Sequence, residues 1–347
     1  MPKVSVIIPV HNAEQYLEQS VGSLVNQTLK DIEIICVDDA SIDNSYEKLK
    51  AYEMKDNRVK VYHHDIAQSA LGARKTGIMA ATGEYIMFLD ADDYYAADAC
   101  ETAYNAITEK SVDILHFTAD VEKCGNVSDE KIKAVKDFMK PYSGELKNNQ
   151  VFEYCFDKKA YNHTLINKIY KADICKKAYE QTEDTYMIFA EDLYVYFIIS
   201  DTAKSYCGID TKPLYFYCYG RGVTQLDNCY TIDKFEKNCQ HAKVIKALRK
   251  YCSDNNKELQ IYNKIIKSLH DEWIIRSIRI YENFLNSDDK KQGKEILNRY
   301  WGHDDVEFMT DKYNYVQSRK SIVTTFKYLM KSITVKGFGY TVKIARY

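Results

Sequence analysis

Phe88-Leu89-Asp90-Ala91-Asp92-Asp93 decides how this chain is read: three carboxylates within four residues, directly behind the apolar run Glu84-Tyr85-Ile86-Met87-Phe88-Leu89. The run has the length and character of a strand, and the acids stand at its carboxyl end. In an open α/β sheet, ligands bind in the crevice beyond the carboxyl ends of the strands. Carboxylates placed there can hold a divalent cation that carries a diphosphate. Taken alone, an Asp-x-Asp reads as readily as a solvated acidic turn with Asp93 capping the next helix.

The same arrangement recurs upstream, where Ile32-Glu33-Ile34-Ile35-Cys36-Val37 runs into Asp38-Asp39 and then into the turn-rich Ala40-Ser41-Ile42-Asp43-Asn44-Ser45. Before it, Val4 to Val10 is a short apolar strand broken by Pro9, followed by His11-Asn12 and a helical pattern with Leu17, Val21, Leu24 and Val25 on one face. Val59 to His64 is a further strand, and Ser69 to Ala81 a helix carrying Arg74 and Lys75. Strands and helices thus alternate over the first hundred residues. That order predicts an α/β fold with a mostly parallel sheet and right-handed crossovers.

Three blocks in this order, Val4 to Ala13, Val37 to Ser45 and Ala81 to Asp93, resemble the family 2 glycosyltransferases of the GT-A fold over roughly the first 110 residues. The resemblance implies a Rossmann-like, mixed but mostly parallel sheet flanked by helices. It also implies an inverting transferase that moves a sugar from a nucleoside diphosphate donor, with Mn²⁺ or Mg²⁺, to an acceptor hydroxyl. Pro9, His11, Asn12, Asp39, Arg74 and Asp90 then belong to the donor site, and Asp90 and Asp92 to the metal. Two positions depart from the pattern. His11 replaces a Tyr that commonly packs on the donor base, and Lys75 replaces an Asn. An imidazole can still stack on uracil, so a UDP-sugar remains the expected donor.

Composition agrees with such a protein. With 46% apolar and 28% charged residues and a net charge of −2, the chain reads as globular, and nucleic-acid binding is not expected. No run approaches about 20 consecutive apolar residues, so neither a membrane span nor a signal peptide is expected. Ten scattered cysteines, without Cys-x-x-Cys, suit free thiols in a reducing cytosol.

Downstream of the expected strand Asp113 to Thr118, the Lys/Glu-rich stretch of about 119–160 reads as a surface insertion over the site. Asn162 to Tyr170 resembles a family segment in which Asn-Lys precedes a helix, with Ile166 where a Trp is usual. Lys168 there reads best as an exposed helix lysine, with contact to donor phosphates or acceptor as the sharper alternative. In Phe189 to Phe197, the helical spacing of Leu193, Tyr196 and Phe197 puts Glu191-Asp192 at a helix N-terminus, where an acid is favoured. Simple capping would explain it. The resemblance implies instead that Asp192 is the catalytic base, with Glu191 as the fallback, because an inverting displacement needs one carboxylate to take the acceptor proton. Leu214 to Thr224 resembles the tyrosine-rich strand and arginine loop of the family, and places Arg221 near the donor phosphates.

The division expected is a transferase domain over 1–230 and a helical region over 231–347, packed on that domain or on a second subunit as a homo-oligomer. Its tail, 312–347, holds eight Lys and Arg and no Asp or Glu, which leaves −10 on residues 1–311. Such a segment, with Ile322, Val323, Phe326, Leu329, Met330 and Ile333 interleaved, suits peripheral contact with an anionic membrane as well as a solvated basic face. Two functions remain open: a cytoplasmic glycosyltransferase, placed at the inner face of the membrane and acting on a glycan or lipid-linked acceptor for surface polysaccharide or glycolipid synthesis, and a catalytically silent nucleotide-sugar-binding partner of another transferase.

Overall fold

The computed structural model describes residues 1–221, 231–257 and 260–334, those beyond 319 by backbone alone. Strand and helix alternate first, as the apolar spacing requires: β1 (Val4–Val10), α1 (Leu17–Val25), β2 (Ile32–Asp39), α2 (Ser45–Lys55), β3 (Val59–His64), α3 (Ser69–Ala80) and β4 (Tyr85–Phe88). A more irregular stretch follows, with β5 (Tyr94–Tyr95), α4 (Ala99–Lys110), β6 (Ile114–His116), β7 (Ala119–Lys123), α5 (Asp129–Met139), β8 (Gly144–Lys147) and α6 (Asn149–Phe156). Next come β9 (Lys168–Lys171), α7 (Ala172–Glu180), α8 (Glu191–Thr202), β10 (Ser205–Gly208) and β11 (Tyr215–Tyr219). The remaining elements are helical: α9 (Ile232–Cys239), α10 (His241–Asp254), α11 (Gln260–Phe284), α12 (Lys290–Trp301) and α13 (His303–Thr334).

Eight strands form one sheet in the order β3-β2-β1-β4-β9-β6-β10-β8. The first four are parallel to one another, whereas β9 runs antiparallel to both β4 and β6, and β8 antiparallel to β10. Both faces of the parallel part are covered. Val4, Val6, Ile8 and Val10 face one apolar cluster with Leu17, Val21 and Leu24 of α1. On the other face Gly77 of α3 lies so close to β1 that a Cβ would fall 2.5 Å from Ile7 Cγ2. Coverage on two sides explains why β1 and β2 read as continuous apolar runs rather than alternating ones. Pro9 is tolerated inside this sheet because β1 pairs with β4 only as far as Ile7.

The stretch 119–160 is not a mere surface insertion. Its β8 extends the large sheet, and its β7 pairs with β11 in a second sheet of order β5-β11-β7. At the amino edge of the large sheet the buried Glu33 accepts from Ser5 Oγ at 2.6 Å, from the N–H groups of Thr82 and Gly83, and from Lys60 Nζ at 2.7 Å. This clamp fixes the register of β1, β2 and the turn before β4.

The chain divides into two compact units, Met1–Asn228 with Gln240–Leu269, and Cys229–Cys239 with His270–Tyr347, so that α11 contributes to both. The second unit is helical, with Phe235 of α9 and Ile296, Leu297 and Trp301 of α12 buried. Residues 335–347 of the basic tail lie outside the described residues.

Candidate active site

The acid-tipped strands end side by side. β1 finishes at Val10, β2 at Asp39 and β4 at Phe88, all pointing the same way, so His11-Asn12, Asp38-Asp39 and Asp90 to Asp93 line one crevice. The loops here hold non-glycine residues in the left-handed region, with φ of 51° at Asn12, 55° at Ala40, 67° at Ser69 and 57° at Ala190. Side chains such as these tolerate that geometry only where surrounding bonds dictate it. At Asn12 those bonds are visible: its N–H donates to Ser41 Oγ at 2.9 Å, and its Oδ1 accepts from Ile42 N–H at 2.8 Å.

That second bond fixes the Asn12 amide, and the amide fixes His11. With Oδ1 facing Ile42, Asn12 Nδ2 must donate to His11 Nε2 at 2.9 Å, while His11 Nδ1–H donates to the carbonyl of Asp39 at 2.6 Å. These two bonds select the Nδ1–H tautomer of the His11 imidazole, its ring exposed at the mouth of the crevice. Asp39 is buried, and its Oδ1 accepts from Gln68 N–H at 2.8 Å and from His64 Nδ1 at 2.7 Å. His64 closes β3 beside it. The sequence marks His64 only as the end of a strand, and its bond to Asp39 becomes visible once β2 and β3 are paired.

The three acids behind β4 take different roles. Asp93 is buried and fully engaged: Tyr215 OH donates to its Oδ2 at 2.5 Å and Cys218 N–H to its Oδ1 at 2.7 Å. It ties the turn behind β4 to β11 and caps no helix. Burial, then the fields of Asp92 and Asp90, push its carboxyl well above the usual range. Asp92 is pushed up to about 6 by burial and by Asp90, and among the described residues no side-chain cation pairs with it. Asp90 accepts from Arg74 Nη2 at 2.8 Å and stays partly exposed.

A divalent cation fits this pair. Asp92 is an under-compensated carboxylate beside a second one, both offering hard oxygens. Among the described residues no three His, Cys, Asp or Glu side chains converge into a full protein cage. Two carboxylates completed by diphosphate oxygens are how Mg²⁺ and, with similar preferences, Mn²⁺ are commonly held.

Arg74, almost wholly buried, also donates to Glu191 Oε1 at 2.9 Å. Burial opposes its charge, and the fields of Asp90 and Glu191 more than restore it. Asp192, next along the first turn of α8, has no such partner within ion-pair distance among the described residues; its Oδ1 accepts the Leu193 N–H at 2.7 Å. Burial pushes the Asp192 carboxyl up, against the pull of Arg74. Lys75 instead reaches away from the acids, to Asp184 Oδ1 at 2.5 Å and the Thr182 carbonyl.

Arg221 follows β11 and crosses above this group, donating to the Asp92 carbonyl at 3.2 Å and to Gln19 Oε1 at 2.7 Å, with its guanidinium 5.2 Å from the Tyr16 ring centre. Lys168 corrects an expectation. It is neither exposed nor helical but the fully buried first residue of β9.

These residues coincide with a known pattern. Residues 5–170 match the family model of glycosyl transferase family 2. Glycosyltransferase GlyG of Streptococcus pneumoniae serotype 4 is 42% identical over 112 residues, covering 32% of this chain and 37% of that protein. The Escherichia coli UDP-Glc:alpha-D-GlcNAc-diphosphoundecaprenol beta-1,3-glucosyltransferase WfgD is 34% identical over 118 residues, 34% of this chain and 46% of its own. The matches thus span less than half the length of these relatives. Among solved structures, S. aureus TarS 1-349 in complex with UDP-GlcNAc superposes with a TM-score of 0.52 at 18% identity, over 90% of this chain and 92% of that one. It shares the fold, a mixed α/β sheet of GT-A type. The acid-tipped strands and the family match cover the same stretch, and residues 5–170 carry the sequence of glycosyl transferase family 2.

Proposed function

We propose that this protein is a metal-dependent, inverting glycosyltransferase that moves a sugar from a nucleoside diphosphate donor, of UDP type, to an acceptor hydroxyl in surface glycan or glycolipid synthesis. The observation that carries the reading is the division of labour between adjacent acids. Glu191 is tied to Arg74, whereas among the described residues Asp192 is left without an ion pair at the start of the same helix. A carboxylate of raised proton affinity, free of a fixed cation, suits a general base.

In this account Asp192 takes the proton of the acceptor hydroxyl as its oxygen bonds to the anomeric carbon, and the bond from that carbon to the diphosphate breaks on the opposite face. Asp90 and Asp92 would hold Mn²⁺ or Mg²⁺, which when bound neutralises charge on the diphosphate. Arg221 adds a cation over Asp92, and Arg74 keeps Asp90 and Glu191 in place. Pro9, His11, Asn12 and Asp39 form the wall for the base and ribose. His11 presents an exposed imidazole face, which suits stacking on a pyrimidine.

Support for a UDP-sugar and a lipid-linked acceptor comes from the relatives, one acting on a diphosphoundecaprenol-linked sugar and the fold neighbour binding UDP-GlcNAc. Contact with the inner face of an anionic membrane is part of the same proposal, and features of the second unit support it. Its α13 exposes Phe308, Tyr315 and Val316, and the sequence from 312 onward carries only basic charges. Among the described residues no helix is long and apolar enough to cross a membrane.

The test is a thermal-shift panel of nucleoside diphosphate sugars with and without Mn²⁺, followed by product analysis with lipid-linked acceptors. Stabilisation by UDP-sugars only in the presence of metal, with transfer, is the expected result. Indifference to every nucleotide sugar would contradict the reading, and binding without transfer would support the silent-partner alternative.

A further inference from the structure

Lys168 is fully buried, yet among the described residues its ammonium has only neutral direct partners. It donates to Asn162 Oδ1 at 2.8 Å and to the Thr164 carbonyl at 2.7 Å, and lies 5.3 Å from the Tyr196 ring centre. Among the described residues no carboxylate comes within ion-pair distance of it. A buried cation held this way is costly unless something else uses its charge.

The topology says what is nearby. Because β9 is antiparallel to β4, with Ile169 opposite Met87, Lys168 enters the sheet at the edge that carries Asp90. Tyr196, against which the ammonium rests, lies one helical turn beyond Asp192 on α8. Lys168 and Asp192 lie in each other's field.

We infer that Lys168 is a positioning residue for the transfer reaction: its ammonium, sealed against Tyr196 beneath the first turn of α8, supports Asp192 as the ionised base while Arg74 is committed to Asp90 and Glu191. This rests on the reading of Asp192 given above. The surroundings isolate the effect. Around Lys168 stand Cys155 of α6, its thiol pushed up by burial, and two histidines. His163, ahead of β9, is pushed down to about 4 by burial and then by Lys168; His116 of β6 is pushed well down by the same two causes. Both imidazoles are therefore neutral near pH 7, and among these groups Lys168 is the one whose positive charge can act on Asp192. Asp192 in turn faces Arg74 of α3, Asp90 behind β4, its neighbour Glu191 and Tyr179 of α7. Burial lowers Lys168 itself to about 7, with Cys155 and Asp192 opposing.

The experiment is a ¹³C NMR titration of the full chain labelled at aspartate Cγ and lysine Cε, the two signals being identified by their loss in Asp192→Asn and Lys168→Met. In Lys168→Met the Asp192 midpoint should rise by on the order of half a pH unit or more. Reciprocally, in Asp192→Asn the Lys168 midpoint should fall by a comparable amount, because the coupling is mutual. The second measurement leaves Lys168 in place and decides the matter if Lys168→Met does not fold. A shift confirms the coupling; unchanged midpoints overturn the inference. Neither readout needs turnover, so an inactive wild type would count against the proposed function alone. In an active enzyme the acid limb of kcat should move up in pH in Lys168→Met, which a purely structural role would not cause.

Discussion

The guanidinium of Arg74 donates to Glu191 Oε1 at 2.9 Å across 117 positions of sequence, and the same group donates to Asp90 Oδ1 at 2.8 Å. One buried cation thus ties the start of α8 to the acidic turn behind β4. Its geometry also separates two adjacent acids: Glu191 is held in an ion pair, and among the described residues Asp192 is not.

Replacing Arg74 by Ala leaves two carboxylates poorly compensated in a largely buried setting. The expected cost is about 3 kcal/mol of unfolding free energy, read from urea denaturation. Arg74→Lys should recover only part of it, because a single ammonium cannot present a planar fork to both acids. A stability unchanged in Arg74→Ala would show that the bridge is incidental.

Glu33 should make the fold acid-sensitive. Burial alone would raise its carboxyl, but Lys60, Ser5 and Thr82 outweigh burial and hold it below the usual carboxylate range. A group depressed in the folded state stabilises above its unfolded pKa, and that contribution is lost as pH falls through the folded value. Glu33→Gln should therefore be less stable than wild type near pH 7, by about 2 kcal/mol. The difference should shrink in acid below pH 4. A gap that stays constant from pH 7 into strong acid would rule out the charged clamp.

Gly220 and Gly125 form a matched pair. Both have positive φ, +115° and +100°, but a Cβ on Gly220 would fall 1.6 Å from the Cys124 carbonyl oxygen, whereas nothing lies within 4 Å at Gly125. Gly220→Ala should cost at least about 2 kcal/mol and displace Arg221. Gly125→Ala should cost only about 1 kcal/mol, for the left-handed backbone itself. Equal costs in calorimetry would mean that the close approach to Cys124 does not exist.

Much of this architecture was legible in the sequence because its signals are local. β1, β2 and β4 are apolar runs ending in proline or acid, and Glu191-Asp192 precedes a helical apolar spacing. What was not legible depends on partners far along the chain. Asp93 differs from Asp92 only because Tyr215 and Cys218, more than 120 positions away, engage it. β7 is charged and half-exposed, and becomes a strand by pairing with β11. Lys168 looked like a surface lysine because nothing in Asn167-Lys168-Ile169 announces that β9 will run between β4 and β6.

Asp92 is expected to anchor the cation. In calorimetric titrations with UDP, Asp92→Asn should weaken Mn²⁺-dependent binding at least about tenfold and make residual binding indifferent to chelator. The substitution is nearly isosteric, so thermal stability should be kept or slightly raised, as burial already penalises the carboxylate. Undiminished metal-dependent binding would remove Asp92 from the site.

The most direct test of the central claim sets binding against transfer in Asp192→Asn. The amide keeps the size of the side chain but cannot accept a hydroxyl proton at neutral pH. With the donor and acceptor identified for the wild type, donor affinity in Mn²⁺ should stay within about threefold, while kcat falls on the order of 10²-fold or more. Full turnover in Asp192→Asn, with Glu191→Gln inactive, would contradict the assignment that the Arg74 bridge implies.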